Sequence, residues 1–234
     1  LLQIEKDENI NSIICIDREE KFKYLFMATK KGIVKKTPIS EFDSIRKSGK
    51  ICINLKENDE LIGVKKINDN DLILLGSSSG KVVKFDEQDI RPMGRTASGV
   101  RGINNDGGIT ICSEVVNEDN KILIVTEKGY GKITNVSEFR QTKRGSKGVK
   151  ALNVTEKNGM LIDIKVVADN MDVILMSNTG MTMKMPLSQI STLGRATQGL
   201  RLINLKDDQK VATVSLVEED EFVSVDNENS TPDK

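Results

Sequence analysis

The chain has 234 residues, with 35 basic and 35 acidic side chains, 37% apolar content, 3% aromatics, no Trp and no His. That length supports a sizeable core, which must be aliphatic, and the absent imidazole excludes His-based triads, His metal sites, zinc chemistry and the usual general base. No apolar run approaches the ~18 residues of a membrane-spanning helix and no signal peptide opens the chain, so a soluble, cytoplasmic protein is expected.

Residues 1–16, with apolar runs at 1–4 and 10–16, resemble only the second half of a unit that then repeats. The chain therefore begins mid-pattern and reads as a piece of a longer protein. The first full unit predicts strands at 24–29 and 33–37 around the turn Lys30-Lys31-Gly32, a polar loop over 38–50, and strands at 51–55 and 61–67. The second predicts strands at 72–75, 82–85, 100–103 and 109–116, and the third at 122–126, 132–134, 149–154 and 161–167. The fourth predicts 173–176, 182–185, 200–205 and 211–217. β-Branched and Leu-rich runs of this length suit strands packed sheet on sheet.

Two glycine series mark the period. Gly32, Gly80, Gly129 and Gly180 stand 48, 49 and 51 residues apart, and Gly49, Gly99, Gly148 and Gly199 stand 50, 49 and 51 apart. The first series supplies the positive φ of a hairpin turn. Units near 50 residues bury a core only against their neighbours, so the expected fold is an all-β, propeller-like array of four-stranded blades. Its units fall at about 23–67, 71–116, 120–167 and 172–217, preceded by the partial unit 1–16. Residues 218–234 carry seven acids and one Lys and read as an acidic, disordered tail.

Without that tail, residues 1–217 hold 34 basic and 28 acidic side chains, a net charge of +6. The basic positions recur with the period. Arg95, Arg144 and Arg195 lie four residues before their closing glycines, and Arg46 lies three before Gly49. Arg101, Lys150 and Arg201 lie two after the glycine, and Lys50 one after. Lys35, Lys36, Lys84, Lys132 and Lys184 follow each hairpin glycine by three or four residues. Lys47, Arg91, Arg140, Lys143 and Lys147 belong to the same loops. Surface loops are commonly charged, but solvation does not require one sign at one position of successive units. In a disc these side chains fall on one rim, where glycines beside the arginines let backbone amides approach phosphate. No aromatics interleave with them, which favours duplex backbone over single-strand stacking.

Other residues read as structural. Cys15, Cys52 and Cys112 sit inside apolar runs and read as small buried hydrophobes. Tyr24 and Tyr130 lie in or beside strand patterns and read as packing residues. Glu41 and Glu138 recur in Ser40-Glu41-Phe42 and Ser137-Glu138-Phe139 and read as loop caps.

The run Ile90-Arg91-Pro92-Met93-Gly94-Arg95-Thr96-Ala97-Ser98-Gly99-Val100-Arg101-Gly102-Ile103 resembles the C-terminal domain of DNA gyrase A. So do Met27-Ala28-Thr29-Lys30-Lys31-Gly32-Ile33-Val34-Lys35-Lys36-Thr37, Gly129-Tyr130-Gly131-Lys132, Asp59-Glu60-Leu61-Ile62-Gly63-Val64 and Arg195-Ala196-Thr197-Gln198-Gly199-Leu200. The likeness covers residues 1 to about 217. It implies a β-pinwheel whose adjacent blades exchange strands and whose basic perimeter bends duplex DNA, so that the ATP-driven holoenzyme introduces negative supercoils. The family has six blades; four complete units and part of another are legible here. Its Gln-Arg-Arg-Gly-Gly-Lys-Gly box belongs to a first blade not represented, and Gln141-Thr142-Lys143-Arg144-Gly145-Ser146-Lys147-Gly148 occupies only the homologous loop of a later blade.

The resemblance further implies double-stranded DNA, the rest of gyrase A and gyrase B as partners in an A2B2 holoenzyme associated with the nucleoid. It implies no catalytic residue, metal or cofactor in this segment, ATP and Mg serving other parts of the enzyme. Alternatives are the equivalent domain of topoisomerase IV, a protein-interaction propeller meeting an acidic partner, and an enzyme in the central channel. The last would place polar residues at channel positions, where only aliphatic strands are expected. The acidic stretch Glu218-Glu219-Asp220-Glu221 would compete with phosphate for the rim.

Overall fold

The computed structural model describes residues 10, 12–14, 21–43, 49–206 and 208–218. Its strands are β1 (Tyr24–Thr29), β2 (Ile33–Pro38), β3 (Leu61–Ile67), β4 (Leu72–Ser77), β5 (Lys81–Asp86), β6 (Val100–Arg101), β7 (Thr110–Val116) and β8 (Lys121–Thr126). They continue with β9 (Tyr130–Asn135), β10 (Val149–Lys150), β11 (Leu161–Val167), β12 (Met171–Ser177), β13 (Thr182–Pro186), β14 (Leu200–Arg201) and β15 (Val211–Glu218). A single 3-10 turn follows β2, β5, β9 and β13.

The antiparallel sheets run β3-β1-β2-β6, β7-β4-β5-β10, β11-β8-β9-β14 and, with three strands among the described residues, β15-β12-β13. Each four-stranded blade thus takes its outermost strand from the following unit: Val100 pairs with Val34, Val149 with Val82 and Leu200 with Gly131. At the other end of the sheets β3, β7, β11 and β15 lie side by side in sequence order. The blades therefore radiate from these strands, with the exchanged strands on the perimeter.

The exchange is the one the family resemblance implies, while the strand lengths differ from those read off the sequence. The third strand predicted within each unit shrinks to two residues at β6, β10 and β14, and no strand forms at 51–55. Ala151 and Leu152, counted as strand by their apolarity, are buried between blades without laddering onwards. Their pattern reports burial rather than pairing. Gly148 and Gly199 explain the close approach: a Cβ on Gly199 would lie 2.7 Å from the Gly131 carbonyl oxygen, and one on Gly148 would overlap that of Val82. Of the predicted partial unit, residues 10 and 12–14 form no strand and the others lie outside the described residues, as do residues 219–234.

The core lies between blades. On β8, Ile122 and Ile124 pack toward the second unit while Leu123 and Val125 pack toward the fourth. Likewise Ile73 and Leu75 of β4 face the first unit and Leu74 the third. Both faces of these strands are covered, which is why they read as continuous apolar runs rather than alternating ones. Each residue turned from one neighbour faces the other.

The innermost strands depart from the aliphatic expectation. A cavity of about 430 Å³ is lined in part by Lys65, Glu114, Asp163 and Lys165. Lys65 pairs with Glu114 at 2.7 Å and Lys165 with Asp163 at 3.2 Å. Burial pushes the Asp163 carboxyl up, against the Lys165 ammonium that holds it down. Asp163 and Lys165 stand two residues apart on β11, while Lys65 belongs to β3 and Glu114 to β7.

Candidate nucleic-acid interface

The long loops of the second, third and fourth units are each fastened at two points to the outer strand of the preceding blade. At the first, the N–H groups of Met93, Thr142 and Leu193 donate to the carbonyls of Lys36, Lys84 and Ile133 at 2.8–2.9 Å. At the second, three of the hairpin glycines accept two donors each: Gly102 and Ile103 on Gly32, Ala151 and Leu152 on Gly80, Leu202 and Ile203 on Gly129, at 2.8–3.3 Å. Between these points the chain arches outward over 94–99, 143–148 and 194–199 on the perimeter.

The arches and exchanged strands carry the basic residues. Arg91, Arg101, Arg140, Lys143, Lys147, Lys150, Lys184 and Arg201 are exposed. Arg95, Arg144 and Arg195 also fasten two units together. Their Nη1 groups donate to the carbonyls of Ile51, Arg101 and Lys150 at 3.5, 3.0 and 3.1 Å, the residue two after the closing glycine one unit earlier. Glu138 caps the next arch by accepting from the Arg195 N–H at 2.9 Å, and the Glu41 carboxylate lies 3.7 Å from Arg95 Nε. Cys112 is buried and Cys52 half-buried, both free; Cys15 lies outside the described residues.

The hairpin lysines require correction. Lys35 and Lys132 are 0% exposed, Lys36 4% and Lys84 2%, so their ammonium groups point away from the surface. Strand alternation sends them to opposite sides of the outer strands. Lys132 donates to the carbonyls of Gly194, Arg195 and Thr197 and to Thr197 Oγ1, at 2.7–3.4 Å, and Lys35 donates to the carbonyls of Cys52 and Arg95. Lys36 pairs with Glu87, and Lys84 with Glu118 at 2.6 Å while donating to Val136 O. These lysines hold the arches and the 3-10 turns from beneath. Burial pushes Lys132 down to about 8, with the Glu138 carboxylate acting in the opposite direction and Arg195 adding to the fall.

The remaining positions are mixed. Lys184 is exposed and pairs with Asp172 at 3.0 Å, and Lys50 reaches Glu41 O at 3.4 Å. Arg46 and Lys47 lie outside the described residues. Sequence reasoning missed two acids on the perimeter. Asp106 lies between Lys81 and Lys147, 2.8 and 3.0 Å away, and hydrogen bonds from both hold its carboxyl down at about 2. Asp89 pairs with Lys143 at 2.7 Å, raising that ammonium, and its carbonyl accepts from Arg144 Nε. These partners stand 25 to 55 residues away in sequence, so no local signal pairs them. Among the described residues no helix is long and apolar enough to cross a membrane.

The profile of the family described as DNA gyrase C-terminal domain, beta-propeller, matches residues 23–68, 71–108, 120–168 and 172–218. The DNA gyrase A protein of Staphylococcus epidermidis (strain ATCC 12228 / FDA PCI 1200) is 42% identical over 224 residues, which is 94% of this chain and 25% of that protein. The chain thus spans about a quarter of the length of this curated relative. Among solved structures, the C-terminal domain of DNA topoisomerase IV is similar with a TM-score of 0.84 and 26% identity, covering 92% of this chain and 68% of that one. The C-terminal domain of DNA gyrase A has a TM-score of 0.74 and 25% identity, covering 91% and 75%. With its radiating four-stranded blades, exchanged outer strands and profile match in all four units, the chain belongs to the family of DNA gyrase C-terminal domains.

Proposed function

We propose that the chain binds duplex DNA along its perimeter and bends it, as the wrapping module of a DNA gyrase A protein. The observation that carries this reading is the repeated arch. Three loops of one geometry, each fastened at two points to the blade before it, carry exposed cations on the same edge of successive blades. Rigid presentation matters because bending 20–30 base pairs by 40–90° costs on the order of 1–6 kcal/mol, which contacts along the curve must offset. Arg91, Arg101, Arg140, Lys143, Lys147, Lys150, Lys184 and Arg201 are the contact residues in this reading. Arg95, Arg144 and Arg195 supply a partly engaged guanidinium, with Lys50, Arg46 and Lys47 on the first loop. Lys35, Lys36, Lys84 and Lys132 instead support the loops.

The contacts address phosphate, so base preference is weak. The chemistry of strand passage, with its ATP and Mg²⁺, belongs in this reading to the rest of gyrase A and to gyrase B, in an A2B2 enzyme on the nucleoid. Gyrase is favoured over topoisomerase IV by the 42% identity to a DNA gyrase A protein.

The test is a salt-titrated binding curve on a duplex of about 40 base pairs, comparing the chain with the triple variant Arg101→Gln, Arg140→Gln, Lys150→Gln. With about six phosphates neutralised, log K against log salt has a slope near −5, and the variant flattens it by about 2–3. An unchanged slope in a folded variant would remove DNA from the perimeter.

A further inference from the structure

At the junction of the third and fourth units, a cavity of about 180 Å³ opens beside the β8–β9 turn. Lys128, Lys157, Arg201, Lys206 and Lys210 line it around Tyr130, and no carboxylate is among its described lining residues. The corresponding cavity between the first and second units is lined by Lys30, Lys31, Arg101 and Asp106; Asp106 there is engaged by Lys81 and Lys147, and Lys30 pairs with Glu60 at 3.0 Å. The later cavity has Lys206 and Lys210 in the equivalent loop, and Lys210 pairs with a carboxylate outside the lining, Glu127 at 2.7 Å.

Tyr130 organises the site. Its ring lies 5.7 Å from Lys157 Nζ and 5.5 Å from Arg201 Cζ, and its hydroxyl accepts from Arg201 Nε and Nη2 at 3.3 and 3.0 Å. Lys128 is held by donation to the Glu156 carbonyl. Two cations are thus parked on a buried aromatic face, where a π-quadrupole offsets their charge and, among the described residues, no acid pairs with them. With Lys210 paired to Glu127, the cations Lys128, Lys157, Arg201 and Lys206 still line one compact opening and repel each other, and a multivalent oxyanion would relieve that repulsion by charge-assisted hydrogen bonds.

We propose that this cavity binds a compact chain of two or more phosphoryl groups, such as an inorganic polyphosphate or the phosphate tail of a nucleotide, through Lys157 and Lys206 together with Arg201, the one residue it shares with the duplex contacts on the perimeter. Lys157 and Arg201 gather at Tyr130, whereas Lys210 is drawn toward Glu127.

The chain has two Tyr and no Trp, so Tyr24→Phe leaves Tyr130 as the sole reporter of tyrosine fluorescence. In that background, inorganic tripolyphosphate should change Tyr130 emission saturably, and orthophosphate should bind about tenfold or more weakly. The double variant Lys157→Gln, Lys206→Gln, neither residue being a perimeter contact, should weaken tripolyphosphate about tenfold and leave the affinity for a duplex of about 40 base pairs within about twofold. Adenosine triphosphate run beside tripolyphosphate separates the two sources: equal affinity means that only the phosphates are read, and tighter nucleotide binding means that the base adds contacts. No saturable change, equal affinity for orthophosphate, or an unaffected double variant would overturn the site. Parallel loss of tripolyphosphate and duplex binding would reduce it to an extension of the DNA surface and overturn its independence.

Discussion

Lys132 carries an ammonium group within 3.4 Å of four protein oxygens, in a place where its side chain has no exposed surface. Burial lowers its pKa to about 8 from 10.5. The sign follows from linkage. Below pH 8 both folded and unfolded states hold the proton, and folding bears the cost of burying the charge. Between pH 8 and 10.5 the unfolded chain keeps the proton while the folded chain loses it, so stability rises with pH by up to about 1.4 kcal/mol per unit. Lys132→Met removes the titrating group. Urea unfolding should show the wild type gaining about 2–3 kcal/mol on the variant between about pH 7.5 and 10. A constant gap would mean that the carbonyl acceptors stabilise the cation enough to restore an ordinary pKa. The same four acceptors tie this lysine to the arch that carries Arg195, so a buried residue shapes the basic surface without touching it.

Among the elements, the two-residue exchanged strands decide how blades are joined. β10 can reach Val82 of β5 only because Gly148 adopts φ +72° and presents no Cβ to the Val82 carbonyl. Gly180 has a similar φ of +85° but faces open space. Gly180→Ala should therefore cost about 1 kcal/mol, the backbone conformation alone. Gly148→Ala should cost at least about 1–2 kcal/mol more, as Cβ and carbonyl are forced apart and the β5–β10 ladder is lost. Thermal melts of the two variants decide it: equal shifts would mean that the exchanged strand does not press on β5. The comparison isolates the contact because the conformational penalty is common to both.

For the whole molecule, placing each core between blades makes stability a chain of nearest-neighbour terms. Leu123 is fully buried and sits among residues of the third and fourth units. Leu123→Ala should cost about 2–4 kcal/mol. Amide exchange should accelerate in β12 as much as in β8, while β1, two blades away, is little changed. Acceleration confined to the third unit would instead place the core within a blade. The same arrangement keeps the perimeter arches in fixed relation to one another, since each arch is fastened to the blade before it and that blade packs on the next.

The repeat was legible in the chain by itself, because glycine spacing and β-branched runs report local backbone needs: positive φ at Gly32, Gly80 and Gly129, and strands covered on both faces at β4 and β8. The periodic Arg and Lys of the long loops were legible for the same reason. That adjacent blades exchange strands was legible only through the family resemblance, not from spacing, since β6, β10 and β14 pair with residues 66–71 positions earlier through only two residues each. Nor could spacing separate a contact lysine from a supporting one: Lys132 and Lys150 look alike in sequence, yet one lies under an arch and the other on the exposed exchanged strand. Sequence determines which residues are charged and at what period; the tertiary structure decides which charges meet water, because burial and ion pairing depend on the neighbouring blade, to which local sequence carries no reference.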